Sequence, residues 1–576
     1  MDSFWKFVVK QDSLAKEYSE KLNIDFRIIQ LALNRGLNSL SDIEQFLNPN
    51  VKYLSTVFCE EEILRANQRI ISAIKQKEKI IVYGDYDVDG VTGTVVLIDA
   101  LKSLGAMVAY YVPSRYNEGY GLNISAVKQF KEQKISLIVT VDCGISNFEE
   151  IKYAKEAGID VIVTDHHTPP EILPPALAII NPKIEDAANK LAGVGVAYRF
   201  VHELIKAYYH KDILKNKKYM ELVAIGTVTD VVPLLGDNRI LVKNGLDRLN
   251  MDKSMGLYYL LERADVKVAD TITIGYFLGP RINAAGRLDS ASLAIELLTT
   301  TSKDYALRLA DRLNELNELR KEEGNKIFVE STKILEHNPD LLDSKVIVLS
   351  SKDWEPGVIG IVASQLAKKF TRPVVLISMK SSMVRGSIRS FAGVDVLTPL
   401  KMCEKLLINY GGHIEAAGFE INIEYIAKFS AKYISILNKL LEQQELFTEI
   451  MIDYELNHQD LTLDFFQKLQ ILEPFGEANR EPVFITKNLN AINYYLVGKN
   501  KNHLKILFSQ DFDFQIEAIG FNMADYERIL EKYSSFDVVY NLACNYYFGQ
   551  KTLQLKLVDL RPSASLPPSA LRAPSP

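Results

Sequence analysis

Cysteine is scarce: Cys59, Cys143, Cys403 and Cys544 are the only four in 576 residues, and they stand far apart with no paired spacing. That excludes a disulfide framework and a cysteine-based zinc module, and reduced thiols are expected. No apolar run approaches the roughly 18 residues needed to cross a bilayer, so a chain without a membrane is expected. Met1 is followed by mixed apolar and charged residues, without the basic stretch, apolar core and small-residue cleavage site of a secretory signal, which points to the cytoplasm. A Gly-x-x-x-x-Gly-Lys-Ser/Thr loop is also missing, which disfavours an ATP-driven motor. Positive charge is in deficit overall: the net charge of −6 argues weakly against a nucleic-acid partner. The average misleads, because acids are absent from two stretches. None lies between Glu355 and Asp395, where Lys368, Lys369, Arg372, Lys380, Arg385 and Arg389 fall. None lies from Pro482 to Gln510, which holds Lys487, Lys499, Lys501 and Lys505 among aromatics.

The length calls for several folded units. Between about Lys79 and Val232 short β-branched runs alternate with helical periodicity, the pattern of a parallel sheet covered by helices. Strands are expected at Ile80 to Tyr83, Val108 to Val112, Leu137 to Val141, Val161 to Thr164 and Ala178 to Ile180, each nearly all apolar because both sheet faces are buried. Ala306, Leu309, Leu313 and Leu316 mark a long connecting helix from Lys303 to about His337; their repeat covers too few heptads to favour a dimeric coiled coil. A second α/β pattern follows, with strands at Val346 to Leu349 and Val374 to Ile377 and a glycine-rich close at Gly411 to Gly418. Beyond Thr448, short alternating strands such as Leu504 to Phe508 fit a small β-barrel. The expected plan is therefore an α/β protein: a helical segment at 1–60, an α/β domain at 61–245, a helical connector at 246–337, a second parallel-sheet α/β domain at 338–435, a barrel at 448–561 and a disordered tail at 562–576.

The first strand runs into Gly84-Asp85-Tyr86-Asp87-Val88-Asp89-Gly90, three carboxylates on one short loop. Like charges this close raise one another's pKa unless a cation neutralises them, and hard divalent ions prefer such oxygen ligands. An EF-hand opens the same way but fails here, since its twelfth position is Val96 and a strand stands where a helix should enter. Two later strands end alike, one at Asp142 and one at Asp165-His166-His167. In an open parallel sheet the strand C-terminal ends border one crevice, so these groups can converge. A single Asp after a strand usually caps a helix, and Asp230 alone reads as such a cap; the repetition argues for a site. Carboxylates with imidazole suit Mn²⁺, or Mg²⁺ where water completes the shell, better than zinc. Two ions about 3.5–4 Å apart, bridged by a carboxylate, are the arrangement for in-line hydrolysis of a phosphoester.

Asp85 to Gly90, Val141-Asp142-Cys143-Gly144, Asp165-His166-His167 and Thr229-Asp230 resemble the successive motifs of the DHH phosphoesterase superfamily. Gly411-Gly412-His413 with Ala416-Ala417-Gly418-Phe419 resembles the signature of its associated DHHA1 domain. Pro280 to Arg287, Pro356 to Ser364 and Pro474-Phe475-Gly476 resemble the RecJ branch, so that the likeness spans about residues 50 to 560. The resemblance implies that Asp85, Asp87 and Asp142 surround one ion and that Asp89, Asp142, His166 and Asp230 surround the other. Asp142 would bridge them, and His167 would face the scissile phosphate. Ser387 and Arg389 would hold a phosphate of the DNA, with Arg115, Arg281 and His413 as further contacts; Arg115 could instead pair with Glu118. Tyr494, Tyr495, Lys499, Lys501 and Lys505 would line an oligonucleotide-binding (OB) barrel, where rings stack bases beside a basic groove, although alternating tyrosines also serve as core.

The function implied is 5′ to 3′ exonucleolysis of single-stranded DNA in recombination and repair, by a monomer, with single-strand-binding and helicase proteins as partners. Two rivals stand beside it: a DHH phosphodiesterase acting on short RNA or cyclic dinucleotides, which would have no need of the barrel, and a non-catalytic single-strand binder, which would not need the full ligand set.

Overall fold

A computed structural model describes residues 3–563, apart from 116–117, 211, 213–216, 381–382, 511–513 and 548–549. Nearly all of the expected tail at 562–576 lies outside the described residues. The chain forms two compact units: one built from 1–4, 57–230 and 248–449, the other from 5–56, 231–247 and 450–576. Among the described residues no helix is long and apolar enough to cross a membrane.

The first unit opens with a five-stranded parallel sheet of β1 (Lys79–Gly84), β2 (Met107–Tyr111), β3 (Ile135–Val141), β4 (Asp160–Thr164) and β5 (Ala178–Ile180). Its order is β2-β1-β3-β4-β5. The chain leaves β1 toward β2 on one side and returns to place β3 on the other. The crevice beyond the C-terminal ends of β1 and β3 is therefore a topological switch point, where open α/β sheets bind ligands. Val82, Leu137, Val139 and Ile162 are fully buried, which explains the unbroken apolar runs. Helix α1 (Val88–Ser103) follows β1, and α2 (Gly193–Tyr209) and α3 (Met220–Thr229) pack against it.

The region expected as a connector contains a helical layer that includes a single π turn at Ile274–Leu278 running into α4 (Gly279–Leu288), and then the 35-residue α5 (Lys303–His337). The apolar stripe of α5 buries Ala306, Leu309, Leu313 and Leu316 in its first half. Its second half sends Ile327 and Leu335 into the core of the second lobe. One helix thus serves two cores in succession, with no second chain needed to cover the stripe.

That lobe holds β6 (Ile347–Ser351), helix α6 (Ile359–Phe370), β7 (Val374–Ser378), β8 (Val384–Arg389), β9 (Leu407–His413) and β10 (Ala416–Ile421), in sheet order β9-β10-β8-β7-β6. Only β6 and β7 pair in parallel. The glycine-rich close expected at Gly411 to Gly418 falls in a tight hairpin, β9–β10, and the β10–β8 and β8–β7 pairings are antiparallel as well.

In the second unit, β11 (Phe484–Val497), β12 (His503–Ser509), β13 (Gln515–Gly520), β14 (Ser535–Tyr547) and β15 (Gln550–Pro562) run in the order β11-β12-β13-β15-β14, and β14 pairs back with β11 to close a five-stranded barrel. Leu504, Ile506 and Phe508 point inward and their neighbours outward, the period of two that was legible in the sequence. The same core takes in Ile28, Ile29, Leu31, Ile43 and Phe46 from the N-terminal helices. The Arg239 guanidinium is buried in this unit and donates to the carbonyls of Phe46 (2.7 Å) and Glu473 (2.9 Å). The segment expected as a separate helical region at 1–60 is thus largely part of the barrel's unit, because its apolar face finds no other cover.

Candidate active site

Three strand ends and one helix end meet at the switch point. Asp85, Asp87 and Asp89 follow β1, Asp142 follows β3, His166 and His167 follow β4, and Asp230 ends α3. The His166 Nε2 atom lies 3.1 Å from Asp142 Oδ1, 3.6 Å from Asp230 Oδ2 and 3.9 Å from Asp89 Oδ2. Asp85, Asp87 and Asp142 each offer an oxygen within 4.8 Å of the others, and so do the donor atoms of Asp89, His166 and Asp230. Asp142 belongs to the first group and also touches the second through His166.

Asp87 Oδ1 caps α1, accepting from the backbone of Asp89 (2.9 Å) and Gly90 (3.1 Å). Asp89 accepts from the backbone of Gly193 (2.6 Å) and Val194 (2.8 Å) at the N-terminus of α2. A methyl group at Gly193 would stand 2.8 Å from Asp142 Cβ, so only glycine lets this helix end come so near. The backbone amide of Asp230 continues α3 by bonding to Gly226 while its carboxylate turns to His166. The local role read from the sequence and the ligand geometry thus coexist in one residue.

The electrostatics are those of a site that attracts a cation. Burial, then mutual repulsion, pushes Asp85 and Asp142 well above the usual carboxylate range, Asp89 to about 7 and Asp230 to about 9. Burial pulls His166 down to about 3, leaving a neutral imidazole, the form that ligates metal. Asp85 Oδ1, Asp142 Oδ1, His166 Nε2 and Asp230 Oδ2 are buried with no hydrogen-bond partner. Buried polar atoms are normally paired, so orphans converging from separate elements fit a divalent ion with oxygen and nitrogen ligands.

His167 differs. Its Nδ1 is 2.8 Å from Asp165 Oδ1 and 3.8 Å from Asp142 Oδ1. Burial lowers its pKa, but the bond to Asp165 and the charges of Asp165 and Asp89 together raise it. With Nδ1 committed to Asp165, Nε2 is the nitrogen available to a substrate.

In the second lobe, Ser387 and Arg389 lie on β8, and Arg389 Nη1 donates to Ser387 Oγ at 2.9 Å. A methyl at Gly360, in the first turn of α6, would meet Arg389 Nη2 at 2.8 Å and Ser387 Oγ at 3.0 Å. Serine hydroxyl, guanidinium and a helix N-terminus therefore converge, the elements of a phosphate pocket. Burial, then the positive charge of Arg115, lowers the Arg389 pKa. Two cations brought together call for an anion. Arg115 stacks over the Tyr86 ring at 4.5 Å. Glu118, its other expected partner, accepts from Ser114 N (2.8 Å) and Tyr111 Oη (2.5 Å).

Comparison with known proteins agrees in all three domains. Residues 79–227 match the DHH family N-terminal domain, 343–439 the DHHA1 domain and 452–559 the RecJ OB domain. The chain is 33% identical over 562 residues to the single-stranded-DNA-specific exonuclease RecJ of Bacillus subtilis, covering 96% of this chain and 70% of that protein. It is 34% identical over 540 residues to the RecJ of Haemophilus influenzae, covering 90% and 92%. The chain belongs to the RecJ family. The crystal structure of Thermus thermophilus RecJ in complex with Mn²⁺ superposes with a TM-score of 0.84 at 30% identity, covering 97% of this chain and 79% of that one. The Mg²⁺ complex gives 0.77 at 28% identity.

Other residues singled out by RecJ resemblance fare differently. Arg281 is buried, 6% exposed, and its nitrogens donate to Phe277 O (2.9 Å), Asn314 Oδ1 (3.1 Å) and Arg263 O (3.4 Å). Each of its three nitrogens thus donates once inside the protein, which gives Arg281 a packing role. His413 is exposed at the end of β9. In the barrel, Tyr494 packs against the core, the alternative noted for an alternating tyrosine, whereas Tyr495 is exposed. Lys505 forms an ion pair with Glu517 at 2.9 Å and lies 5.9 Å from the Tyr495 ring. Lys499 and Lys501 are exposed around the β11–β12 turn.

Sequence reasoning missed Tyr120 and gave Asp165, named only as part of the strand end, no role of its own. Tyr120 Oη donates to the Asp142 carbonyl at 2.8 Å and lies 3.1 Å from His167 Nδ1; it follows no strand and carries no local signal. Asp165 holds both histidines: it accepts from the backbone of His166 (2.7 Å), His167 (3.1 Å) and Ile145 (3.0 Å). Burial would raise its pKa, but the bond from His167, the charge of the histidines and the Ile145 amide together hold it low. Its adjacency to the histidine pair was the available signal.

Proposed function

We propose that the chain is a divalent-metal-dependent exonuclease that degrades single-stranded DNA from the 5′ end, in recombination and repair. The reading rests above all on the orphaned buried donors of Asp85, Asp142, His166 and Asp230 converging at the switch point. Asp85, Asp87 and Asp142 would hold one Mn²⁺ or Mg²⁺ ion, and Asp89, Asp142, His166 and Asp230 the other. Bound there, such ions would supply activation of water at neutral pH and neutralisation of charge on the attacking and leaving oxygens.

The protein's own contribution is orientation. The N-terminus of α2 fixes the Asp89 carboxylate, and Asp165 fixes the His167 ring. His167 Nε2 then offers a proton or positive charge to a phosphate oxygen as negative charge develops there. Ser387 and Arg389, with Arg115 nearby, would grip a terminal 5′-phosphate, so that the scissile bond is counted from the strand end. Lys499, Lys501 and Tyr495 would hold the strand further along. The relatives, named as single-stranded-DNA-specific exonucleases, support single-stranded DNA as substrate. The barrel disfavours a short-RNA or cyclic-dinucleotide enzyme, and the complete ligand set disfavours a mere binder.

The test uses end-labelled single-stranded DNA, duplex DNA and RNA, each with Mn²⁺ or Mg²⁺, with products sized over time. Progressive release of mononucleotides or short products from the 5′ end of single-stranded DNA is expected. Preferential cleavage of short RNA, or binding without cleavage, would overturn the reading.

A further inference from the structure

Tyr120 joins two groups that the proposed reaction must keep in register. Its hydroxyl donates to the Asp142 carbonyl at 2.8 Å and lies 3.1 Å from His167 Nδ1. A phenol, with a pKa of about 10, keeps its proton at neutral pH and so has one hydrogen to give. That hydrogen goes to Asp142, because a carbonyl can only accept. The oxygen therefore turns a lone pair to His167, whose Nδ1 hydrogen is shared between Tyr120 Oη and Asp165 Oδ1, 2.8 Å away.

Asp165 cannot do this work alone. It leaves the same strand end as His167, so their bond fixes the ring only relative to its own loop. The sheet sets the backbone spacing of β3 and β4, but not where a ring beyond the strand end stands relative to Asp142. Tyr120 supplies that tie from a third segment. Asp142 itself needs holding, since its φ of +58° lies in the left-handed region, which aspartate enters at a cost. One hydroxyl thus steadies the peptide after Asp142 and the ring of His167 together.

The tyrosine is firmly mounted. The next residue, Gly121, has a φ of +83°, and a methyl there would stand 2.6 Å from Asn147 Oδ1. Asn147 grips Leu122 on both sides: Oδ1 accepts from Leu122 N (3.1 Å) and Nδ2 donates to Leu122 O (3.0 Å). Tyr83 Oη, on β1, donates to the Gly121 carbonyl at 2.9 Å. Strand β1 and the start of the helix Phe148–Glu156 therefore clamp the chain just after Tyr120. The ring meets the His167 ring edge-on, with centroids 5.6 Å apart. It is 49% exposed, so core packing does not demand the two polar contacts.

We propose that Tyr120 is a positioning residue for hydrolysis: its hydroxyl ties the His167 ring to the backbone of Asp142, so that Nε2 and the Asp142 carboxylate face one phosphate together. With the Nδ1 hydrogen held by two acceptors, Nε2 alone is left for the substrate. The phenol acts through His167 rather than on the strand. This inference rests on the proposed exonuclease function.

The experiment compares the full chain with Tyr120→Phe, which removes only the oxygen and keeps the half-exposed ring. With Mn²⁺ and end-labelled single-stranded DNA, kcat should fall about 10- to 150-fold, the value of a hydrogen bond to a charged group. KM, strand binding in EDTA and the thermal gain from Mn²⁺ should stay as in the parent, because no ligand and no strand contact is removed. Adding Tyr120→Phe to His167→Ala should cost nothing further, the non-additivity of two residues that act as one. A readout free of turnover comes from metal-free protein labelled with ¹⁵N in its eight histidines. Tyr120→Phe should shift the His167 ring signals, identified by their absence in His167→Ala, and leave those of His337 and His503 in place. An unchanged kcat, a loss that appears in KM and in EDTA binding, or unshifted His167 signals overturns the assignment. So does a full further loss in the His167→Ala background. A parent that cuts no single strand sinks the functional reading instead, and the His167 signals then still test the tie.

Discussion

Asp142→Asn removes one charge and almost no volume from a cluster whose carboxylates oppose one another. Asp85, Asp89, Asp142 and Asp230 all have pKa values raised above the unfolded range, chiefly by burial and then by their neighbours. The sign follows. A carboxyl raised in the folded state contributes stability that is complete below its unfolded pKa near 4 and is lost as pH rises through its folded value. At pH 8 without metal, Asp89, at about 7, is mostly ionised and, with burial, opposes ionisation of Asp142, whereas Asp230, at about 9, is mostly protonated. Two unit charges 4 Å apart interact by roughly 4 kcal/mol at an effective dielectric of 20, and partial protonation reduces this, so the metal-free variant should be about 1–3 kcal/mol more stable than the parent at pH 8. With metal the sign reverses. An ion at 100 times its dissociation constant stabilises the fold by about 2.7 kcal/mol, and a variant lacking the bridging charge should lose most of this gain. Hydrolysis should fall by more than the roughly 10²–10³-fold lost when a single stabilising donor is removed from an active site. Thermal midpoints at pH 8 in EDTA and in Mn²⁺, with digestion of an end-labelled single strand, read all three effects. Appreciable turnover at saturating Mn²⁺, or a lower metal-free midpoint with an unchanged Mn²⁺ gain, would refute the bridge.

Three further outcomes are expected. Arg389→Ala should weaken use of a 5′-phosphorylated strand by about 1.5–3 kcal/mol, the scale of a charge-assisted hydrogen bond, without changing metal content; equal kinetic constants would remove the phosphate role. The parent's thermal gain from Mn²⁺ should be larger at pH 8 than at pH 6, because Asp89, at about 7, and Asp230, at about 9, must shed protons to ligate; a gain independent of pH across that window would contradict the ligand assignment. Replacing Lys499 and Lys501 together by alanine should flatten the salt dependence of single-strand binding by about one unit, at ~0.7 per neutralised phosphate, and Tyr495→Ala should weaken binding by about 1–3 kcal/mol; an unchanged slope and affinity would point to a scaffold role for the barrel. Deleting the barrel is a poorer test, since it would uncover Ile28, Ile29, Leu31 and Phe46.

The sequence alone determined the elements whose signal is local. Near-continuous apolar strands such as Leu137 to Val141 can exist only in a sheet covered on both faces, and parallel strands end along one edge, so acids following three of them had to gather there. Inward and outward alternation likewise exposed the barrel at Leu504 to Phe508. Tertiary structure decided whatever depends on a partner distant in sequence. The Asp230 carboxylate is a ligand candidate because His166 lies beside it. Arg281 is a buried anchor because Phe277, Asn314 and Arg263 surround it. The N-terminal helices share the barrel's core because their apolar face needs cover, and Tyr120 reaches Asp142 from a loop without periodicity. A residue's own type and spacing set what bonds it can form; which of them it makes, and whether water reaches it, is settled by neighbours that only the folded chain brings near.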